Sequence, residues 1–254
     1  MRGRRIGWVL LVALLACAAA ARSQDSAAAF KRLAAQLVEN RLNGEDSKES
    51  VQEEALGILD RIALAALNSP APDLAALNER LARLVTQAPA VGESYAVVPL
   101  GTGPRAYALV ANFGLSGPSA VRLYAGPAGG LRRIARIDRF RQEDFFDEYM
   151  ELVPLAGADA VFVTVTGRTD ELETGAFAAW HLDGERLKLL WSTEILQQSS
   201  YEAGPAEAGF RVTFCAETDE DRPRVCRQMV RERYVWSSGE WKRAERQALP
   251  AAKP

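Results

Sequence analysis

The chain has 254 residues, 48% of them hydrophobic and 25% charged, with a formal net charge of −2 and a single histidine. Such a composition is globular, and the length admits one large domain or a small one beside a medium one. It lacks the basic excess that a general nucleic-acid or anionic-membrane surface requires.

The first two dozen residues carry an address. Arg2, Arg4 and Arg5 precede an apolar run from Ile6 to Ala16, and small residues follow to Ala21. This is the three-part layout of a bacterial secretory signal, with a run too short to span a bilayer as a helix. Leu14-Leu15-Ala16-Cys17 resembles the lipobox of bacterial lipoproteins. The resemblance implies a lipid attached at Cys17, so that the membrane is reached only through that anchor. Cleavage after Ala19-Ala20-Ala21 or Ala21-Arg22-Ser23 is the alternative. A signal peptide over 1–23 thus predicts an exported protein, periplasmic or lipid-anchored. Losing Arg2, Arg4 and Arg5 takes the net charge from −2 to about −5, ordinary for a soluble domain.

Residues 24–88 read as a small helical unit. Phe30, Leu33, Ala34, Leu37 and Leu42 recur at helical spacing after Ser26, and Asn43-Gly44 is a stop. Asp46 and Glu49, at capping-box spacing, open a second helix with Val51, Ala55, Ile58, Leu59 and Ile62 on one face. The prolines of Asn68-Ser69-Pro70-Ala71-Pro72 end it, and Asp73 caps a third helix carrying Leu74, Leu77, Leu81 and Leu84. About 60 residues bury a modest core, so this unit is expected to lean on the rest of the chain.

A linker over 89–94 leads to strand-length alternation and an internal repeat. Val97-Val98-Pro99-Leu100 and Arg105–Val110 have counterparts in Leu152-Val153-Pro154-Leu155 and Asp159–Thr164, at offsets of 55 and 54 residues. Asp183-Gly184-Glu185 is echoed by Ser238-Gly239-Glu240, again 55 residues on, and Gly129-Gly130 occupies that place in the first unit. Tight two-residue hairpins at these dipeptides would close the last strand pair of each unit. The fold class is therefore α+β: the helical unit, then an all-β antiparallel repeat domain over 95–247 of about three four-stranded units, then a disordered tail over 248–254. The pattern resembles the blades of secreted bacterial propeller-like proteins, without their calcium-binding Asp-rich turns. Three units leave three arrangements open: an open arc capped by the helices, a ring completed by two chains, or a sandwich.

Candidate chemistry is sparse. His181, between Trp180 and Leu182 before a hairpin turn, has no metal-ligand neighbour at useful spacing. It has no Gly-x-Ser-x-Gly elbow to serve either. Glu143, Asp144, Asp147, Glu148 and Glu151 surround two phenylalanines. On a helical turn Asp144, Asp147, Glu148 and Glu151 share a face, a solvated surface or, alternatively, a carboxylate pair for glycan hydrolysis. Arg132, Arg133, Arg136, Arg139 and Arg141 form a basic stretch, expected to match that acidic cluster. Tyr124, Trp180, Trp191, Tyr234, Trp236 and Trp241 read as core, and as a sugar platform only second. No cofactor and no metal site is expected. Cys215 and Cys226 are left as a pair once Cys17 goes with the leader, and they flank a polar loop suited to a hairpin. In an exported protein they are expected to form a disulfide, with the two cysteines opposite one another. The expected function is a non-enzymatic binding or scaffold module of the cell envelope, with a protein or glycan partner and no nucleic acid. A secreted glycan hydrolase is the alternative.

Overall fold

The computed structural model describes residues 26–40, 43, 49–87, 94–100, 106–113, 119–137, 146–155, 160–169, 172–184, 186–204, 209–219 and 224–250. Residues 1–25, Cys17 among them, lie outside these. Three helices come first: α1 (26–40), α2 (Glu49–Leu67) and α3 (Leu74–Gln87). The Asp73 carboxylate accepts from the Ala76 amide at 3.0 Å, capping α3 as its sequence position predicts.

Three antiparallel sheets follow, each a meander in chain order. Sheet 1 is β1 (Ser94–Pro99), β2 (Ala106–Asn112), β3 (Ala120–Ala125) and β4 (Arg132–Ile137). Sheet 2 is β5 (Phe146–Leu155), β6 (Ala160–Thr169), β7 (Leu172–Asp183) and β8 (Arg186–Ser192), with a short β9 (Leu196–Gln197) also on β7. Sheet 3 is β10 (Ser200–Ala203), β11 (Gly209–Thr218), β12 (Cys226–Ser237) and β13 (Glu240–Leu249). The repeated Pro-Leu segments fall on β1 and β5, the first strands of their sheets, and the repeated apolar segments on β2 and β6. β13 runs two residues into the segment read as a tail.

Strand alternation gives each sheet two faces, and the cores show what each face meets. One core joins Phe30, Leu37, Leu59 and Leu81 of the helices to Val97, Leu109, Ala111 and Tyr124 of sheet 1. A second joins the other face of sheet 1 (Ala108, Val121, Leu123) to Met150, Val161 and Val163 of sheet 2. A third joins Phe162, Phe177 and Ala179 of sheet 2 to Phe210, Val212 and Trp241 of sheet 3. The order of layers is helices, sheet 1, sheet 2, sheet 3.

The hairpins depart in part from expectation. Ser238 and Gly239 both take positive φ, 55° and 83°, between paired Ser237 and Glu240, the two-residue turn their sequence demands. The first unit instead closes through the six residues between paired Ala125 and Arg132. Its Gly129-Gly130 does not form a two-residue hairpin: Gly130 donates to the Pro127 carbonyl at 3.0 Å in a turn within that longer loop.

The acidic stretch is corrected too. β5 places Asp147, Glu148 and Glu151 on a strand, so the three-four spacing behind a shared helical face does not apply. Strand pairing supplies the physical reason: Phe146 and Tyr149 to Leu155 register against β6, and ladder hydrogen bonds outweigh the local helical reading.

Candidate functional site

Glu151 is the one member of the predicted acidic cluster whose side-chain surroundings are described. Asp144 lies outside the described residues, as do the side chains of Asp147 and Glu148. Glu151 projects from the face of β5 that meets sheet 3, with Thr164 opposite it on β6. There its carboxylate accepts a very short hydrogen bond from the Tyr201 hydroxyl of β10. Half-burial pushes the Tyr201 phenol well above its usual range. The Glu151 bond and charge reinforce the shift, and Thr164 opposes it. Tyr201 is therefore a neutral donor to Glu151, a tie between sheets 2 and 3.

His181 sits elsewhere on the same face. It is four residues along and two strands across from Glu151, about 16 Å by ordinary sheet spacing. It is half-buried rather than exposed, and its ring stacks on Trp236 of sheet 3 with centroids 5.8 Å apart. The structure does not bring His181 and Glu151 together. Among the described residues no group of three or more metal-ligating side chains is poised around a common point.

The aromatics form a continuous layer at this seam. Phe210 meets Phe162, Trp191 and Tyr234 at 4.5, 4.7 and 5.2 Å and Trp241 at 5.1 Å, and Trp191 meets Tyr234 at 4.7 Å. This is the core role expected of them. At its margin Glu232, buried on β12, accepts from Tyr234 at 2.6 Å and pairs with Arg243 and Arg246 at 2.8 and 2.9 Å. Burial, then the Glu232 bond, pushes the Tyr234 phenol up to about 12.

The largest charge network lies between α2 and sheet 1. Arg122, fully buried on β3, donates to Glu53 at 2.6 Å, while its Nε and Nη1 have no hydrogen-bond partner. Arg133 pairs with Asp60 at 2.9 Å, Arg136 with Glu53 at 3.3 Å, and the Tyr124 hydroxyl donates to Asp60 at 2.7 Å. Arg133 and Arg136 of the basic stretch are thus matched within the chain, by carboxylates of the upstream helix in place of the acidic segment expected to match them. Arg139 and Arg141 lie outside the described residues. Glu53 and Asp60, seven residues apart on one side of a helix, were the available signal.

The Cys215–Cys226 disulfide is present, with Cα atoms 5.7 Å apart. The cysteines are not direct cross-strand partners. Cys215 opposes Met229 and Cys226 opposes Thr218, and irregular register around Glu217 brings the sulfurs together. No family model, no curated protein and no solved structure matches the chain.

Proposed function

We propose that this chain is an exported cell-envelope protein that binds or scaffolds and is not an enzyme. The observation that carries the reading is the layered arrangement itself: stacked antiparallel meanders, with polar side chains engaged within and between the layers. Glu151 of sheet 2 is engaged by Tyr201 of sheet 3, and Glu232 by a tyrosine and two arginines of its own sheet. Among the described residues neither is poised beside a second carboxylate in the way glycan hydrolysis needs. The disulfide supports the export half, since such bonds persist in oxidising compartments.

On this reading the three sheets are propeller-like blades in an open arc with the helices as its cap. A lipid at Cys17, or cleavage after the alanines, sets whether the protein is anchored or free in the periplasm. The partner is a protein or a glycan of the envelope.

The test has two readouts on the full chain. Fractionation of the producing cells is expected to place it in the envelope, with palmitate incorporation that Cys17→Ala removes if the lipid is present. Incubation with envelope glycans is expected to yield no product. Cytoplasmic residence, or turnover abolished by Glu151→Gln, overturns the reading.

A further inference from the structure

Sheet 3 has a face that no described part of the molecule covers. Sheet 1 lies between helices and sheet 2, and sheet 2 between its two neighbours. Sheet 3 turns Phe210, Val212 and Tyr234 inward. Alternation then directs Arg211, Arg231 and Arg233 outward. Contacts on that side agree: Arg211 pairs with Glu202 at 2.9 Å, and Arg231 reaches Thr213 at 3.4 Å and Glu202 at 3.9 Å.

The charges are arranged, not scattered. Read across the strands, one row runs Glu202, Arg211, Arg233, Glu245. Arginines hold the two central strands and carboxylates the two edges. Arg231 stands one step further along β12, next to the half-buried Met229. Like charges directly opposite one another weaken a sheet, so Arg211 against Arg233 is a local cost to this fold. It is borne in a chain whose overall charge is negative.

We propose that this face docks a protein partner that presents carboxylates to the Arg211–Arg231–Arg233 centre. The proposal rests on the binding-module reading and names its surface. Guanidinium forks match carboxylates bidentately. Arginine and methionine are enriched where proteins meet and lysine is depleted, and Lys242 stands aside in a pair with Glu240 at 3.0 Å. Four strands of four, ten, twelve and ten residues give a face of about 600 Å² in projection, near the roughly 800 Å² of accessible surface that each side of a standard interface buries. A second copy is the poorer occupant, because a two-fold pairing sets the arginine centre against itself.

The test uses the full chain and a fluorescein-labelled oligoglutamate peptide as the carboxylate probe, read by anisotropy at about 50 mM salt, where surface charges are weakly screened. Arg231→Gln with Arg233→Gln is expected to weaken binding at least about tenfold. Arg80→Gln with Arg83→Gln, on α3 at the opposite end of the stack, is expected to leave it unchanged. Thermal melts confirm that both variants are folded. No binding by the unaltered chain, or equal loss in the α3 variant, overturns the proposal. So does preference for phosphatidylglycerol vesicles that the sheet 3 variant abolishes, which would make the face a membrane contact. None of these outcomes is glycan turnover, so the surface can fail while the binding-module reading stands.

Discussion

Asn112 closes both hydrogen bonds that one strand residue offers: its Nδ2 donates to the Met150 carbonyl at 3.0 Å and its Oδ1 accepts from the Met150 amide at 2.7 Å. Met150 is on β5, whose other edge pairs β6, so a side chain of sheet 1 takes the place of a missing strand on sheet 2. Asn78 does the same for Val97 on the edge strand β1, at 2.9 and 2.7 Å. Open edges invite pairing with other chains, and these amides occupy them at one residue each.

Replacing Asn112 by Ala leaves the buried amide and carbonyl of Met150 unpaired. Each such group costs about 1–3 kcal/mol, so a loss of about 2–4 kcal/mol is expected. Urea unfolding should show a lower midpoint at unchanged slope.

Arg122 gives the opposite expectation for Met. The guanidinium is fully buried, with two of its nitrogens lacking partners, while Glu53 remains partly exposed and keeps Arg133 and Arg136. Arg122→Met removes an under-satisfied buried charge without stranding its partner. Stability is expected to be unchanged or higher by about 1–2 kcal/mol, whereas Arg122→Ala, which also leaves a cavity, lowers it. Thermal melts of the two variants separate these outcomes.

Acid acts through Glu53. Desolvation raises its pKa, but the Arg122 hydrogen bond and the charges of Arg122, Arg136 and Arg133 outweigh that and hold it below the usual range. A depressed folded value stabilises above the unfolded pKa of about 4.3, and that stability is lost as pH falls through the folded value. Between neutral pH and about 5, Glu53 therefore contributes no slope. Below that, the unaltered chain should lose stability faster than Glu53→Gln, as measured by denaturant midpoints against pH.

Reducing the Cys215–Cys226 bond removes a constraint on a loop of 11 residues' separation, worth about 3 kcal/mol on the chain-entropy model. Cys215→Ala with Cys226→Ala is expected to lower the melting temperature to match that of the reduced chain.

The helices, the three-unit repeat and the cysteine pair were legible because each is local: periodicity, a cap at Asp73, turn residues at Ser238-Gly239. What was not legible depends on neighbours distant in sequence. Nothing near Glu151 announces Tyr201, 50 residues away, and nothing near Asn112 announces Met150. The acidic stretch misled because its three-four spacing of carboxylates is equally available to a strand, whose period of two is disguised by the irregular pairing between Phe146 and Tyr149. Arg122 was passed over as one arginine among many, since burial cannot be read from residue type.

One core is shared by the helices and sheet 1, whereas sheets 2 and 3 pack through cores to which the helices contribute nothing. The most direct measurement of this layered account is hydrogen exchange on residues 90–254 expressed alone, beside the full chain. Without the helices, Tyr95, Leu109, Phe113 and Tyr124 lose their apolar cover, so amides of β2 and β3 should lose protection that β6, β7 and β12 retain. Equal protection of β2 and β3 in the fragment and in the full chain, with the same melting midpoint, would contradict the helix-capped stack.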